Sequence, residues 1–236
     1  MDFLLALNWI AVGQIILIDV LLGGDNAIVI ALACRNLPPQ LRLRGILWGT
    51  AGAIVLRVLL IAFAVSLLQM PWVKLAGGLL LLWIGIKLLA DDGGGHGDVA
   101  ASDRLLAAIK TIVIADLAMS IDNVIAVASA ASQAADEHRL LLVVFGILVS
   151  IPIVIWGSTL VLQLMTRFPV IVSFGAALLG YLGGGMIFAD AGVGAWLPSG
   201  RWTLPGTALE LSMPALAGAI LVVVAGKWRA ATTAKH

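Results

Sequence analysis

Seven long apolar runs limit what this chain can become. They fall near residues 4–34, 43–69, 72–90, 107–133, 139–166, 168–190 and 206–226. A helix needs roughly 20 apolar residues to cross a hydrocarbon core of about 30 Å, and every run is close to that length or beyond it. Polar or proline-bearing breaks separate them, among them Arg35-Asn36-Leu37-Pro38-Pro39, Gln69-Met70-Pro71 and Asp136-Glu137-His138-Arg139. Of the 236 residues 61% are hydrophobic and 11% charged. A soluble domain carries about 25% charged residues, so this chain cannot cover a water-facing surface and must be solvated by lipid. A soluble enzyme, a nucleic-acid binder and a coiled coil are excluded. The runs are continuous, unlike the alternating segments of about ten residues in a membrane barrel. The expected fold class is all-α, a polytopic membrane protein with seven transmembrane helices. The first run has no positively charged segment before it. Its apolar stretch exceeds the 7–15 residues usual for a signal peptide, so it reads as a retained helix.

Lys and Arg at the helix ends give an orientation. Ten of them would share one side: Arg35, Arg42, Arg44, Lys87, Arg104, Lys110, Arg167, Lys227, Arg229 and Lys235. Three, Lys74, Arg139 and Arg201, would share the other. That bias puts the N-terminus outside and the C-terminus in the cytoplasm. The net charge of +1 provides no field for a polyanion. Cys34 stands alone, so an internal disulfide and a multi-cysteine metal cluster are both ruled out.

The most informative pattern is a repeat. Residues 16–33 read ILIDVLLGGDNAIVIALA and residues 112–130 read IVIADLAMSIDNVIAVASA. Asp19 matches Asp116, Asp25 matches Asp122 and Asn26 matches Asn123, each pair 97 positions apart. The offset holds through Arg42/Arg139 and Gly49/Gly146. One inserted residue later, Pro71 pairs with Pro169, Gly77 with Gly175, and Trp83-Ile84-Gly85 with Tyr181-Leu182-Gly183. Asp92 and Asp190 end the third helix of each copy. Chance resemblance between apolar helices explains matched Leu and Ile, but not two acids and an amide at the same spacing. The expected layout is repeat one at about 4–92, a cytoplasmic linker at about 93–106, repeat two at about 107–190 and a seventh helix at about 206–226. The linker region carries Asp98 and His96 and reads as solvated. Three spans per copy make the second copy run upside down. Secondary transporters use such inverted repeats, with the substrate site at the repeat interface near the midplane.

Four acids then fall inside the membrane: Asp19, Asp25, Asp116 and Asp122. Each costs at least about 2.5–3.5 kcal/mol at the bilayer centre if unpaired. Arg57 is the only cation deep enough to pair with them, and one cation cannot neutralise four acids. Protonation and a bound metal cation are the other routes to neutrality. At a rise of about 1.5 Å per residue, Asp25 and Asp122 lie about 15–18 Å from the cytoplasmic end, Asp116 about 9 Å and Asp19 about 24 Å. That ladder reads as a cation path with a midplane site. On an ideal helix Asp19 and Asn26 share a stripe, as do Asp116 and Asn123, while Asp25 and Asp122 stand about 100° round from the neighbouring Asn. Local unwinding at Gly23-Gly24 would re-aim Asp25 and free carbonyls as ligands; close helix packing is the other reading of that pair. Carboxylate and amide oxygens suit hard cations such as Mg²⁺, Ca²⁺ and Mn²⁺. Met119 adds slight softness or simply packs. The expected metal ligands are Asp19, Asp25, Asn26, Asp116, Asp122 and Asn123, with protons as counter-ion.

The segments Asp19-Val20-Leu21-Leu22-Gly23-Gly24-Asp25-Asn26-Ala27 and Asp116-Leu117-Ala118-Met119-Ser120-Ile121-Asp122-Asn123-Val124 resemble the motifs of the TerC family of integral membrane proteins. The likeness covers nearly the whole chain and is greatest to the short bacterial branch. It implies Mn²⁺ export, protection from excess manganese and residence in the bacterial inner membrane.

Arg57 reads as a partner of Asp19, a gate, a snorkelling side chain or a structural ion pair. Glu210 reads as a solvated acid at the outer start of the seventh helix. Trp9, Trp72, Trp196 and Trp202 read as interfacial anchors. Gly45, Gly49 and Gly52 pack helices either within one protomer or between two copies in a homodimer. Two rival functions remain: an intramembrane aspartyl protease, whose Gly-x-Gly-Asp pattern Leu22-Gly23-Gly24-Asp25 does not fit, and a membrane partner that delivers metal without transporting it. The expectation is a transporter, not an enzyme.

Overall fold

A computed structural model describes residues 17, 24–62, 72–90, 100–131, 139–194, 201–203 and 210–233; within these, the side chains of 61–62, 122–131, 139–147, 194, 201–211 and 233 are left aside. The described chain is helical: α1 Gly24–Cys34, α2 Pro39–Ala62, α3 Val73–Ala90, α4 Ala101–Ala131, α5 Arg139–Arg167, α6 Val170–Phe188, the single turn α7 Ala191–Gly194, and α8 Met213–Thr233. Between α7 and α8 a small antiparallel hairpin pairs β1 Arg201–Thr203 with β2 Glu210–Ser212. Five stretches among the described residues are long and apolar enough to cross a membrane: Pro39–Leu60, Val73–Ala90, Leu148–Arg167, Val170–Phe188 and Met213–Thr232. Of the first predicted span, Leu17 and Gly24–Cys34 are described, and both are helical. The fourth, α4, is 31 residues long and carries Asp103, Arg104, Lys110, Asp116 and Asp122.

The helix ends depart from the apolar runs for a physical reason. Apolarity reports contact with lipid, and a helix continues past that contact wherever its backbone stays paired. So α4 begins at Ala101, six residues before the run at 107–133 and inside the region read as linker. The amides of Asp103 and Arg104 donate to the Ala100 carbonyl at 3.0 and 3.2 Å. Likewise α2 starts at Pro39, where a proline in the first turn forgoes no intrahelical bond. The hairpin corrects the expected start of the seventh helix near 206: Glu210, expected at the outer start of that helix, lies in β2, and the helix begins only at Met213, with Pro214 in its first turn.

Large apolar side chains point outward along the spans, including Trp48, Val55 and Leu59 of α2, Trp156 of α5, and Ile220 and Val224 of α8. Lipid is the solvent that tolerates such a surface. Inside, Leu32, Ile46, Leu81, Ile84, Ile112 and Leu179 are fully buried and join α1 to α6 into one core. Small residues set the helix spacing. A Cβ on Gly78 of α3 would meet the Gly183 carbonyl of α6 at 2.5 Å, and a Cβ on Gly183 would meet the Gly78 carbonyl at 2.7 Å. Gly45, Gly49 and Gly52 of α2 receive Leu105, Ile112 and Val113 of α4, so this stripe is used within the protomer.

Asp190, just beyond α6, secures the start of α3. Its Oδ1 accepts the amides of Trp72 at 3.1 Å and Gly192 at 2.8 Å, and its Oδ2 accepts the Leu75 amide at 3.2 Å. Trp72 has a φ of 74°, an unusual backbone state for a non-glycine residue. Its indole lies against Gly192, where a Cβ would approach the ring to 3.0 Å. Burial pushes the Asp190 carboxyl up, but the amides of Gly192, Leu75, Trp72 and Lys74 outweigh it and hold the group below its ordinary range.

Candidate functional site

Four helices surround a cavity whose walls are mostly Val, Ile and Ala. Its polar groups are Asn26 from α1, Thr50 and Arg57 from α2, Asp116 from α4 and Ser150 from α5. All five are buried. Hydrocarbon walls make each polar contact inside strong and each unmet one costly.

Among the described residues, three side chains form a ring at the charged centre. The Arg57 guanidinium donates through Nη2 to Asp116 Oδ1 at 2.5 Å and through Nε to Ser120 Oγ at 3.2 Å. Ser120 Oγ in turn donates to Asp116 Oδ2 at 3.1 Å. Ser120 lies one turn beyond Asp116 on α4, the spacing at which helix side chains meet. Arg57 and Asp116 are each 6% exposed, so a full ion pair is held out of water. Such a pair persists only with good geometry and added hydrogen bonds, and Ser120 contributes two of them.

Across the same cavity, two oxygens have no hydrogen-bond partner among the described residues: Asn26 Oδ1 and Thr50 Oγ1. Asn26 is 5% exposed and Thr50 is 4% exposed. A buried acceptor without a donor is expensive, and oxygens of this kind attract a cation or a donor. No three His, Cys, Asp or Glu side chains come together among the described residues. An ion in this cavity would therefore be held by one carboxylate together with amide and hydroxyl oxygens.

Asp25 lies on a different wall. It lines a second cavity with Met119, Tyr181, Met186 and Ser212. Its Oδ1 accepts the Asn26 amide at 2.8 Å. The roughly 100° step between neighbours on a helix separates Asp25 from Asn26 in this way. Met119 is buried in the core and also borders the Asp25 cavity. Among the six residues expected as ligands, Asn26 and Asp116 thus share one cavity and Asp25 borders another. Asp122 and Asn123 lie on the α4 backbone, but their side chains, like all of Asp19 and the Gly23 position, fall outside the described residues. His96, Trp9 and Trp196 also fall outside them, as does the Glu210 side chain.

No sequence pattern marks Thr50 or Ser150, and Ser120 is marked only as part of the second Asp-Asn motif. Hydroxyls are common in membrane helices and usually satisfy themselves on the preceding turn, as Ser158 does on Val154 at 2.7 Å and Thr159 on Ile155 at 2.9 Å. Ser120 did carry a usable signal, four residues after an acid on the same helix. Arg57 was noticed, and the structure gives it Asp116 as a partner.

The sequence model described as the integral membrane protein TerC family matches residues 5–234. The uncharacterised membrane protein YjbE of Bacillus subtilis is 44% identical over 173 residues, covering 73% of this chain and 77% of that protein. The inner membrane protein YgdQ of Escherichia coli K12 is 30% identical over 134 residues, half of this chain and 56% of that one. The tellurium resistance protein TerC of an Alcaligenes species is 32% identical over 84 residues, covering 34% of this chain and 24% of that protein. No solved structure matches the chain. A multi-pass helical architecture and a family match over almost the full length agree, and the chain belongs to the TerC family of integral membrane proteins.

Proposed function

We propose that this protein is a transporter that exports divalent metal cations, with Mn²⁺ as the principal cargo and protons as the counter-ion. One observation carries the reading: a buried carboxylate, Asp116, shares a lipid-enclosed cavity with two acceptor oxygens that lack donors, Asn26 Oδ1 and Thr50 Oγ1. Ionisable residues within membrane segments mark ion and proton paths. Hard oxygens select Mg²⁺, Ca²⁺ or Mn²⁺ over soft metals. The site draws on both Asp-Asn motifs, with Asp19, Asp25, Asp122 and Asn123 completing the path that Asn26 and Asp116 begin.

The same reading gives the chain seven spans, arranged as two inverted three-helix repeats and a final helix. Reciprocal contacts support it. Gly78 of α3 meets Gly183 of α6, and Gly85 of α3 meets the Ala176 carbonyl of α6, a Cβ there approaching to 3.3 Å. Gly78 and Ala176 are repeat equivalents, as are Gly85 and Gly183, so each contact is the mirror of the other. Contacts that swap partners in this way are what a two-fold relation between antiparallel helices produces. The cavity is walled by the first and second helices of both copies, where inverted-repeat transporters bind substrate. The Lys and Arg bias supports a cytoplasmic C-terminus, and residence in a bacterial inner membrane is part of the same reading.

The test in cells is total manganese by mass spectrometry. Expression in a bacterium stripped of its own manganese exporters lowers cellular manganese and restores growth in excess Mn²⁺. Asp25→Asn and Asp122→Asn variants, present at equal levels, do neither. Equal rescue by both variants would remove the Asp-Asn motifs from the transport path.

A further inference from the structure

Resting on that transport reading, we propose that Arg57 is a tethered counter-cation: it holds Asp116 while no cargo is bound, and the cargo cation displaces it, taking Asn26 Oδ1 and Thr50 Oγ1 as additional ligands.

Asp116 is 6% exposed and held by the guanidinium and by Ser120. A divalent ion cannot join that carboxylate while the guanidinium stays on it, because two like charges in a low-dielectric cavity repel strongly. Either Arg57 or the cargo neutralises Asp116 at one time. Asp116 is then never left bare in hydrocarbon.

Asn26 Oδ1 and Thr50 Oγ1 are nine-tenths buried, border the same cavity and are left unmet while Arg57 is engaged elsewhere. A cation on Asp116 would satisfy both. An arginine that served only to neutralise Asp116 does not account for them.

The repeat offset is 97 up to Gly49/Gly146 and 98 from Pro71/Pro169, so the counterpart of Arg57 is Val154 or Ile155. Both are apolar. The cation is supplied to one copy alone, and two-fold packing does not require it. A tethered cation also sets a threshold. Its effective concentration at Asp116 is high, so a monovalent ion competes poorly and a divalent ion competes through its extra charge.

The test is Mn²⁺ binding to the purified full-length protein in detergent, by titration calorimetry with Mn²⁺ alone and again with excess Na⁺. Wild type binds Mn²⁺ and is indifferent to Na⁺. Arg57→Gln binds Mn²⁺ about tenfold more tightly, and Na⁺ now competes. Thr50→Val binds about tenfold more weakly, with its thermal midpoint unchanged or raised because a hydroxyl without a partner has been removed. Should Arg57→Gln fail to fold, Arg57→Lys carries the test. Its point charge lacks the fork that grips Asp116 and Ser120 together, so Mn²⁺ binds about threefold more tightly. An unchanged or weaker Mn²⁺ affinity in the Arg57 variants overturns the tether while leaving transport standing. Unchanged affinity in Thr50→Val overturns the ligand set, with a trapped water then satisfying these oxygens. A wild type that binds no divalent cation overturns the transport reading and the tether with it.

Discussion

Arg57 on α2 and Asp116 on α4 form a buried ion pair at 2.5 Å, closed into a ring by Ser120. Removing one member of a buried pair leaves an uncompensated charge and costs about 3–5 kcal/mol. Asp116→Asn and Arg57→Gln should therefore each lower the thermal midpoint in detergent by on the order of 10 °C. The double variant Arg57→Gln/Asp116→Asn removes both charges of this pair and should lose less than the sum of the two single variants. Additive losses in the double variant would mean that the two side chains act independently.

The contact between Gly78 and Gly183 has no room for a side chain. A Cβ on Gly183 meets a backbone oxygen at 2.7 Å, whereas one on Gly185 has Ala215 Cβ nearest, at 3.8 Å. Overpacking against backbone costs about 1–3 kcal/mol, so Gly183→Ala should lower the thermal midpoint by several degrees. Gly185→Ala should be neutral or slightly stabilising, since alanine is the better helix former. Equal effects at the two sites would remove close α3–α6 packing as the reason for Gly183.

Asp190 predicts an acid-sensitive contribution to stability. Its carboxyl is held below the ordinary value of 3.8 by the amides it accepts. A lowered folded-state pKa stabilises fully above the unfolded value and is lost as the pH falls through the folded one. Asp190→Asn should therefore lower the thermal midpoint by a constant amount from pH 6 to 8, with a cost of about 1–2 kcal/mol. The gap to wild type should narrow below about pH 4. A gap independent of pH down to acid would show that the charge of Asp190 is not what secures α3.

What the sequence revealed follows from the solvent. Hydrocarbon demands unbroken apolar runs, so α3, α5 and α6 were legible to within a few residues, whereas α8 begins seven residues past the start of the run at 206–226 because Glu210–Ser212 pairs into the hairpin. It also makes a charge conspicuous, so Asn26 and Asp116 stood out by their motifs and Arg57 by its depth. Rotational setting was less legible. Which acid Arg57 meets depends on how α2 and α4 turn toward each other, and that is decided by Gly49 and Gly52 receiving Ile112 and Val113. Thr50 and Ser150 were hidden because a hydroxyl in a helix costs little. The anchoring of α3 by Asp190 joins residues 118 apart in the chain, Trp72 and Asp190, a distance that no local pattern encodes.

The central claim is that a divalent cation crosses the membrane through the cavity around Asp116. The most direct measurement is the initial rate of Mn²⁺ movement into proteoliposomes of purified protein, followed by quenching of an entrapped dye. The account predicts Mn²⁺ flux well above that of empty liposomes for wild type, and loss of at least about tenfold for folded Asp116→Asn. Wild-type protein that moves no divalent cation, or an Asp116→Asn variant that moves it at the parental rate, would contradict it.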